Sequence, residues 1–268
     1  MNKNKQQVYD FWNEASCGEN LYLPGLDRDA YEAQACKRYE LEPYIIKFAD
    51  FDSAKAKRVL EIGVGLGADH QGYAQAGADL YGIDLTERAI EHVERRLATL
   101  GLSSQLVVGD AEQLDFPDEY FDQVYSWGVL HHSPDTPKAV AEVWRILKQG
   151  GGAKVMIYHK WSMVGLMLWI RYALLRLRPY ISLKEIYADY LESPGTKAYS
   201  FGEARHLFDA FSEVSIRTVL THGDLLESGA GQRHQGTILS IARRIWPRWF
   251  IRKFFPNAGL FMLIEMRK

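Results

Sequence analysis

The sequence has 268 residues, of which 47% are hydrophobic and 25% are charged, and its formal net charge is −2. This composition predicts an ordinary globular chain with one large α/β domain or one domain with a sizeable insertion. The two cysteines, Cys17 and Cys36, are too few for a disulfide framework, and no Cys/His spacing suggests a metal site. The first residues lack the apolar run of a secretory signal, so we expect a cytoplasmic location.

The charge is unevenly distributed along the chain. Residues 1–150 hold 15 Lys and Arg against 25 Asp and Glu, whereas residues 151–268 hold 17 against 9. An acidic first half is a poor surface for nucleic acid, so we expect no nucleic-acid partner. The basic second half suits an anionic small molecule or a membrane surface, although ordinary solvated charge is an equal alternative.

Four regions are predicted in chain order. Residues 1–50 are predicted as a helical, aromatic-rich lid, and residues 51–160 as a core in which short apolar runs alternate with helical stretches. Residues 161–200 are predicted as an apolar helical insertion. Residues 201–268 are predicted to complete the sheet, with a basic and aromatic insertion at about 223–258.

The core contains five predicted strands, RVLEIG, LYGIDL, SQLVVGD, FDQVYSWG and GAKVMIYH. The predicted helices are ADHQGYAQAG, TERAIEHVERRLATLG and TPKAVAEVWRILKQGG, with Thr86 and Gly101 as the caps of the second. This alternation predicts a doubly wound parallel sheet whose ligands bind beyond the carboxyl ends of the strands.

The regions after the core are predicted from their apolar patterns. Residues 161–177 are predicted as one apolar helix, which Arg171 and Arg176 make a poor membrane span. Ser200 and Glu203 predict a capping box at the start of the next helix. EVSIRTVL and GLFMLIEM are predicted as the last two strands.

A glycine loop follows the first predicted strand. In VLEIGVGLG, Gly63, Gly65 and Gly67 occupy every second position. The loop lacks the Gly-Lys-Ser/Thr of a P-loop and the G-x-G-x-x-G spacing of a dinucleotide site. Glu61 adds a carboxylate that would repel a pyrophosphate, so the loop suits a ligand with a cationic amine.

Two further carboxylates follow the next two predicted strands. Asp84 ends GIDL, where it can accept both hydroxyl groups of a ribose, and Asp110 ends VVGD, where it can accept from an adenine amino group. An amine, a ribose and an adenine, taken in strand order, together indicate S-adenosylmethionine.

These residues resemble the class I S-adenosylmethionine-dependent methyltransferases, in particular the small-molecule branch with the ubiquinone/menaquinone and natural-product enzymes. The matching motifs are EIGVGLG, GIDLT, GDAEQLDFPDEYFDQVYSWGVLHHSPD and ILKQGG, and the resemblance covers roughly residues 45–157. It implies a Rossmann-like, seven-stranded sheet with an antiparallel last strand and insertions after strands five and six. It also implies methyl transfer from the sulfonium, with S-adenosylhomocysteine as product.

The resemblance also implies which residues bind the cofactor. The core positions are Glu61, Gly63, Gly65, Asp84, Leu85, Asp110, Ala111, Trp127 and Gly128. Tyr9 and Trp12 are candidates in the lid, although helix packing is an equal alternative for both.

Candidate catalytic and substrate-binding residues lie at the predicted ends of strands four and five. His131 and His132 are candidate bases because histidine titrates near neutrality, with a structural role as the alternative. The candidate substrate-binding residues are Tyr158, His159, Glu192 and Tyr199, the last two in the polar turn ESPGTKAYS.

We therefore predict a methyltransferase of a small, hydrophobic or aromatic molecule, with oxygen preferred over nitrogen or carbon as the methylated atom. One alternative is a methyltransferase of quinone or lipid intermediates at the membrane face. Another is a non-catalytic subunit that binds S-adenosylmethionine for a partner. A homodimer and peripheral membrane contact through ARRIWPRWFIRKFF stay open, although Pro247 interrupts any long helix there.

Overall fold

The computed structural model describes residues 3–227, 243–244 and 246–268. Seven strands form one sheet: β1 Arg58–Ile62, β2 Asp79–Asp84, β3 Gln105–Val108, β4 Phe121–Trp127, β5 Leu147–Tyr158, β6 Glu213–Val219 and β7 Phe261–Arg267. Their order is β3-β2-β1-β4-β5-β7-β6, and β7 runs antiparallel to both of its neighbours. The predicted seven-stranded sheet with an antiparallel last strand is confirmed.

The helices cover both faces of the sheet and its carboxyl edge. They are α1 Lys3–Glu14, α2 Glu19–Tyr22, α3 Arg28–Leu41, α4 Tyr44–Ala49, α5 Ala68–Gln75, α6 Glu87–Leu100, α7 Thr136–Ile146, α8 Met163–Tyr172, α9 Leu183–Tyr190, α10 Phe201–Leu207 and α11 Arg248–Phe254. The Thr86 side chain accepts from the Ala89 amide, Gly101 ends α6 in the left-handed conformation, and Ser200 and Glu203 form a capping box. These predicted caps are confirmed.

Two predicted boundaries are wrong. The helix expected to reach the glycine run ends at Ile146, because Leu147 already pairs with Phe121 as the first residue of β5. A register shift between Phe121 and Gln123 then absorbs the extra residues of the longer strand.

The single helix expected over residues 161–177 is interrupted. α8 ends at Tyr172 and a 3₁₀ turn follows at Leu174–Arg176. Leu177 takes a left-handed φ of 57°, and the Arg178 amide donates to the Ala173 carbonyl, which closes the turn. The segment is therefore a short helix with an exposed loop.

Apolar side chains are buried on both faces of the sheet. Val143 and Phe208 are fully buried on the face covered by α7 and α10, and Phe48 and Tyr187 are buried on the opposite face. Each such side chain contributes roughly 1.5–3 kcal/mol by leaving water. The sheet is thus a rigid support for the residues at its carboxyl edge.

The described parts of the chain contain no helix with the length and hydropathy needed to span a bilayer. Of the basic and aromatic insertion at 223–258, residues 228–242 and Ile245 lie outside the described residues.

Candidate active site

A cavity of about 870 Å³ lies at the carboxyl edge of the sheet. Its walls come from α1 to α3, the glycine loop, the ends of β2, β4 and β5, one face of α8, and the segments after β6 and before β7. The volume lies in the range of roughly 300–1,000 Å³ that is typical of small-molecule sites. The parallel strands therefore bring their ends to one enclosed space, as expected for a doubly wound sheet.

The glycine loop borders this cavity, and its glycines have different roles. A Cβ at Gly63 would lie 2.1 Å from the Val129 side chain, so Gly63 is required by packing inside the protein. A Cβ at Gly65 would meet nothing within 4 Å, because this residue faces the cavity. With a φ of 50°, Gly65 also adopts a conformation that favours glycine. The loop thus leaves space for a ligand against its backbone.

Asp84 lies at the end of β2 and lines the cavity. One carboxylate oxygen accepts from the Thr86 amide at 3.0 Å and the Thr86 hydroxyl at 2.9 Å, and the other accepts from the Gly65 amide at 3.2 Å. Burial raises the pKa of Asp84 above its usual value. Its carboxylate can only accept hydrogen bonds, so at the cavity wall Asp84 can bind a ligand through a donor such as a hydroxyl group.

Glu61 is buried and bonded to a partner that the sequence analysis missed. Its carboxyl oxygen lies 2.9 Å from Nδ1 of His70, whose Nε2 lies 2.8 Å from the Ser104 hydroxyl. Ser104 donates to the Leu80 carbonyl, so its oxygen accepts from Nε2–H of His70 and Nδ1 is left as an acceptor.

Burial disfavours charge on both members of this pair. It raises the pKa of Glu61 well above its usual value and lowers the pKa of His70 to about 3. Burial therefore favours the neutral pair, in which Glu61 donates to His70. A cationic ligand group next to Glu61 would favour its ionised form instead.

Asp110 lies after β3 and is held by the lid. The ammonium group of Lys5 in α1 lies 2.5 Å from a carboxylate oxygen of Asp110 and 2.5 Å from one of Glu112. The second oxygen of Asp110 accepts from the Glu112 amide at 2.9 Å. α1 is therefore fixed over this end of the cavity by an ion pair between residues 105 positions apart, which no local sequence pattern indicates.

The structure separates the two lid candidates. Trp12 lines the cavity and packs edge-on against the His132 ring, with ring centroids 5.3 Å apart. The Tyr9 hydroxyl donates to Glu87 at 2.5 Å on the exposed side of α1, outside the cavity lining. Of the remaining implied cofactor positions, the cavity is lined by Leu85, Ala111, Trp127 and Gly128.

An acid–base cluster lies across the cavity from the glycine loop. Nε2 of His132 is 3.2 Å from a Glu192 carboxylate oxygen, and the Tyr158 hydroxyl donates to that oxygen at 2.6 Å. Nδ1 of His132 lies 2.8 Å from the Ser193 hydroxyl and 3.1 Å from the Thr196 hydroxyl. The three side chains that line the cavity here are His132, Tyr158 and Glu192.

His131 is placed differently from its neighbour. It is fully buried against the rings of Tyr158 and His132, at centroid distances of 4.0 and 4.2 Å, and it does not line the cavity. Burial, with smaller contributions from His132 and Lys197, lowers its pKa well below the usual value. His131 is thus a neutral packing residue in this structure, which argues against its expected role as the base.

His159 and Tyr199 are likewise outside the cavity lining. Nδ1 of His159 lies 3.2 Å from the Gly259 carbonyl oxygen, and its ring packs against Phe201. His159 and Tyr199 pair as an isolated parallel bridge that fixes the end of β5 to the start of α10. Their placement is structural, whereas Tyr158 and Glu192 face the cavity.

Three potential metal ligands lie in or beside this cluster. In the part of the chain that the structure describes, His131, His132 and Glu192 offer ligand atoms within 4.8 Å of one another. Two hydroxyl groups contact Nδ1 of His132, and Tyr158 donates a hydrogen bond to Glu192. These contacts are those of a hydrogen-bonded acid–base cluster.

The buried carboxylate of Asp224 connects the segments that form the cavity wall beside α8. Its carboxylate accepts from the amides of Val164, Thr221 and Leu260 and from the Thr221 hydroxyl, at 2.8–3.1 Å. This side chain therefore ties the start of α8 to the segments after β6 and before β7. This role could not be predicted from the sequence, because two of its partners, Leu260 and Val164, lie 36 and 60 residues away.

Comparisons with known proteins agree with this geometry. Residues 60–153 match the family model described as a methyltransferase domain. The chain is 35% identical over 122 residues to a fatty-acid O-methyltransferase of Mycolicibacterium smegmatis, which covers 45% of this chain and 43% of that protein. It is 34% identical over 101 residues to a phosphatidylethanolamine N-methyltransferase of Cereibacter sphaeroides, covering 37% of this chain and 49% of that protein. The chain thus spans less than half the length of these curated relatives.

The similarity in fold covers the whole length of this chain and nearly all of one solved structure. A geranyl diphosphate C-methyltransferase from Streptomyces coelicolor superposes with a TM-score of 0.66 at 15% identity, covering 100% of this chain and 99% of that one. An identity this low supports the fold alone. Residues 60–153, about a third of the chain, are thus similar to a methyltransferase domain, and the sheet around them has the fold of the solved methyltransferase.

Proposed function

We propose that this chain transfers a methyl group from S-adenosylmethionine to a small, largely apolar acceptor, with an oxygen atom as the favoured nucleophile. The observation that carries the proposal is the position of Glu192 and His132 in the same cavity as Gly65 and Asp84. One enclosed space thus contains the features of a cofactor site and a group able to accept a proton.

The cofactor site fits a cationic nucleoside. In this proposal, Asp84 binds the ribose with Leu85 beside it, and Asp110 and Ala111 meet the adenine. Glu61 and Gly65 face the methionine part, and Trp127 and Gly128 border the sulfonium. The open side of Gly65 and the position of the Asp84 carboxylate at the cavity wall support this assignment.

Glu192 is the proposed general base. Thr196 donates its hydroxyl proton to the Ser193 carbonyl, so Ser193 is the natural donor to Nδ1 of His132. His132 then carries its proton on Nε2, which lies 3.2 Å from a Glu192 oxygen but does not form a hydrogen bond with it. The carboxylate is thereby left as the group that can accept a proton from the acceptor.

When bound, S-adenosylmethionine supplies an electrophilic methyl group on its sulfonium. The chain must align the acceptor, exclude water and remove a proton where the nucleophile carries one. Trp12 supports water exclusion, because it places a lid side chain against His132. In this proposal, residues 1–50 act as the lid and residues 161–200 form part of the acceptor wall.

Of the two alternatives, a methyltransferase of lipid intermediates has specific support. The matched relatives named above include enzymes of fatty acids and of a phospholipid, which favours an apolar acceptor and a methyltransferase of lipid or quinone intermediates at the membrane face. A non-catalytic partner subunit would bind the cofactor without turnover, and it would have no need of the Glu192 cluster.

The test measures S-adenosylhomocysteine formation with phenols and hydrophobic acids as acceptors. Glu192→Gln should lower turnover by roughly 10²–10⁴-fold, because it removes the proton acceptor, while calorimetric affinity for S-adenosylmethionine stays near that of the wild type. Glu213→Gln, which changes an exposed carboxylate on β6, is the matched control.

Unchanged turnover in Glu192→Gln would remove this residue as the base. Tight binding of S-adenosylmethionine without turnover of any acceptor would favour the alternative that this chain is a non-catalytic subunit.

A further inference from the structure

We propose that Arg171 and Arg176 form an anion-binding subsite in the acceptor part of the cavity. The acceptor would then be an amphiphile, with an apolar body and a carboxylate or phosphate group at the end away from the methylated atom. This inference rests on the proposed function and names the class of its substrate.

One face of α8 lines the cavity along its length. Val164, Leu168 and Arg171 are spaced at i, i+4 and i+7, which places them on one side of a helix, and all three line the cavity. At a rise of about 1.5 Å per residue, Arg171 lies roughly 10 Å along the axis from Val164. The Val164 amide is bonded to Asp224, which also holds Leu260 beside the end of β5. Arg171 therefore lies about two turns away from the end of β5, where Tyr158 meets Glu192.

The other cationic side chains of the cavity wall already have carboxylate partners. Lys5 pairs with Asp110, and Arg38 forms two hydrogen bonds to Asp69 at 2.7 and 3.0 Å. Within the described residues, Arg171 and Arg176 form no ion pair with a carboxylate. Residues 1–2, 228–242 and 245 contain no Asp or Glu that could supply one.

Aromatic rings position these two guanidinium groups. Arg171 lies 5.3 Å and Arg176 lies 5.0 Å from the centroid of the Tyr172 ring. The Tyr172 ring is stacked on Tyr190 with centroids 4.0 Å apart and planes 8° from parallel. Both cations therefore share one rigid aromatic support, which reduces the entropy lost when they bind an anion.

The surrounding wall is apolar, and this decides the kind of ligand. The cavity-lining side chains that neighbour Arg171 and Arg176 in sequence include Met167, Leu168 and Leu175. A cation beside apolar side chains is stabilised when a ligand supplies the opposite charge. Guanidinium groups match carboxylate and phosphate oxygens with two parallel hydrogen bonds, and they would repel a cationic acceptor.

The test compares ligands of equal chain length and different head groups. Decanoate, decyl phosphate and decanol are titrated calorimetrically into the protein with S-adenosylhomocysteine present. The wild type should bind both anions at least about tenfold more tightly than the alcohol, and the double variant Arg171→Gln/Arg176→Gln should lose that preference. Arg178→Gln, an exposed change outside the cavity lining, should keep it.

A second arm distinguishes a free amphiphile from a lipid head group. If the anion belongs to a lipid, the wild type should co-sediment with phosphatidylglycerol vesicles and the double variant should not, whereas a free amphiphile gives the decanoate preference without vesicles. Equal binding of decanoate and decanol, with no effect of the double variant on vesicles, would overturn the subsite. Because these measurements need no turnover, an anion-selective chain without methyl transfer would overturn the proposed function and leave the subsite standing.

Discussion

Cofactor binding should depend on the charge and the acceptor geometry of Asp84. Asp84→Asn keeps one oxygen for the Thr86 amide and hydroxyl, so the cap of α6 is preserved. The second oxygen, which accepts from Gly65, becomes a donor and can no longer accept from a ribose hydroxyl. One lost hydrogen bond to a charged group costs about 1.5–3 kcal/mol, so the affinity should fall by about 10- to 150-fold.

The assay is calorimetric titration with S-adenosylmethionine, with a thermal melt to show that the variant is folded. Asp79→Asn is the matched control, because Asp79 lies at the exposed start of the same strand and pairs only with Arg58 among the described residues. An affinity in Asp84→Asn equal to that of the wild type would refute the assignment of the ribose to this carboxylate.

Two further predictions concern the cavity wall and the molecular surface. Burial raises the pKa of Glu42 to about 7 from its ordinary value of 4.5, so the folded chain retains this proton longer than the unfolded chain. Relative to Glu42→Gln, the wild type should therefore lose on the order of 1–3 kcal/mol of stability as the pH rises from about 4.5 to about 7, and a constant difference in melting temperature between pH 5 and pH 8 would contradict this. If the exposed aromatic residues of α11 dock on anionic membrane, Arg244→Glu/Lys253→Glu should abolish co-sedimentation with phosphatidylglycerol vesicles, at about 1 kcal/mol per charge. A wild type that ignores such vesicles at low salt would rule out the membrane contact.

Arg248 lies in the same basic and aromatic segment as Arg244 and Lys253, but it is unsuitable for that charge reversal. Its guanidinium donates to the carbonyl groups of Leu225, Leu226 and Arg243, which holds the wall of the cavity together. A change there would alter packing as well as surface charge.

The sheet could be predicted because its signals are local. A buried parallel strand is largely apolar, as Val59, Leu60 and Ile62 show in β1, and a crossover helix can have its own caps, such as Thr86 and Gly101 of α6. Once the strand order is known, the ends of parallel strands must meet at one edge. This is why Glu61, Asp84 and Asp110, read from three separate segments, line one cavity.

The orientation of neighbouring side chains could not be predicted in the same way. His131 and His132 share one 3₁₀ turn, but only His132 faces the cavity, because the ring of His131 packs beneath Tyr158. Lys5 reaches Asp110 across 105 residues of sequence, and no pattern in KNKQQ marks that contact. Such positions follow from tertiary packing, which periodicity does not encode.

The part of the chain that matches the methyltransferase family model bears on where the acceptor is selected. The family match ends at residue 153, before Tyr158, Glu192 and the cavity-lining face of α8. The matched region contains the core residues proposed for the cofactor, so the family match gives no information on the acceptor. That information lies in the apolar wall and in the two arginines without carboxylate partners, because a pocket selects its substrate through the polar groups that it would otherwise leave unpaired. We therefore expect acceptor choice to change with substitutions at Arg171 and Glu192, and cofactor affinity to change with substitutions at Asp84.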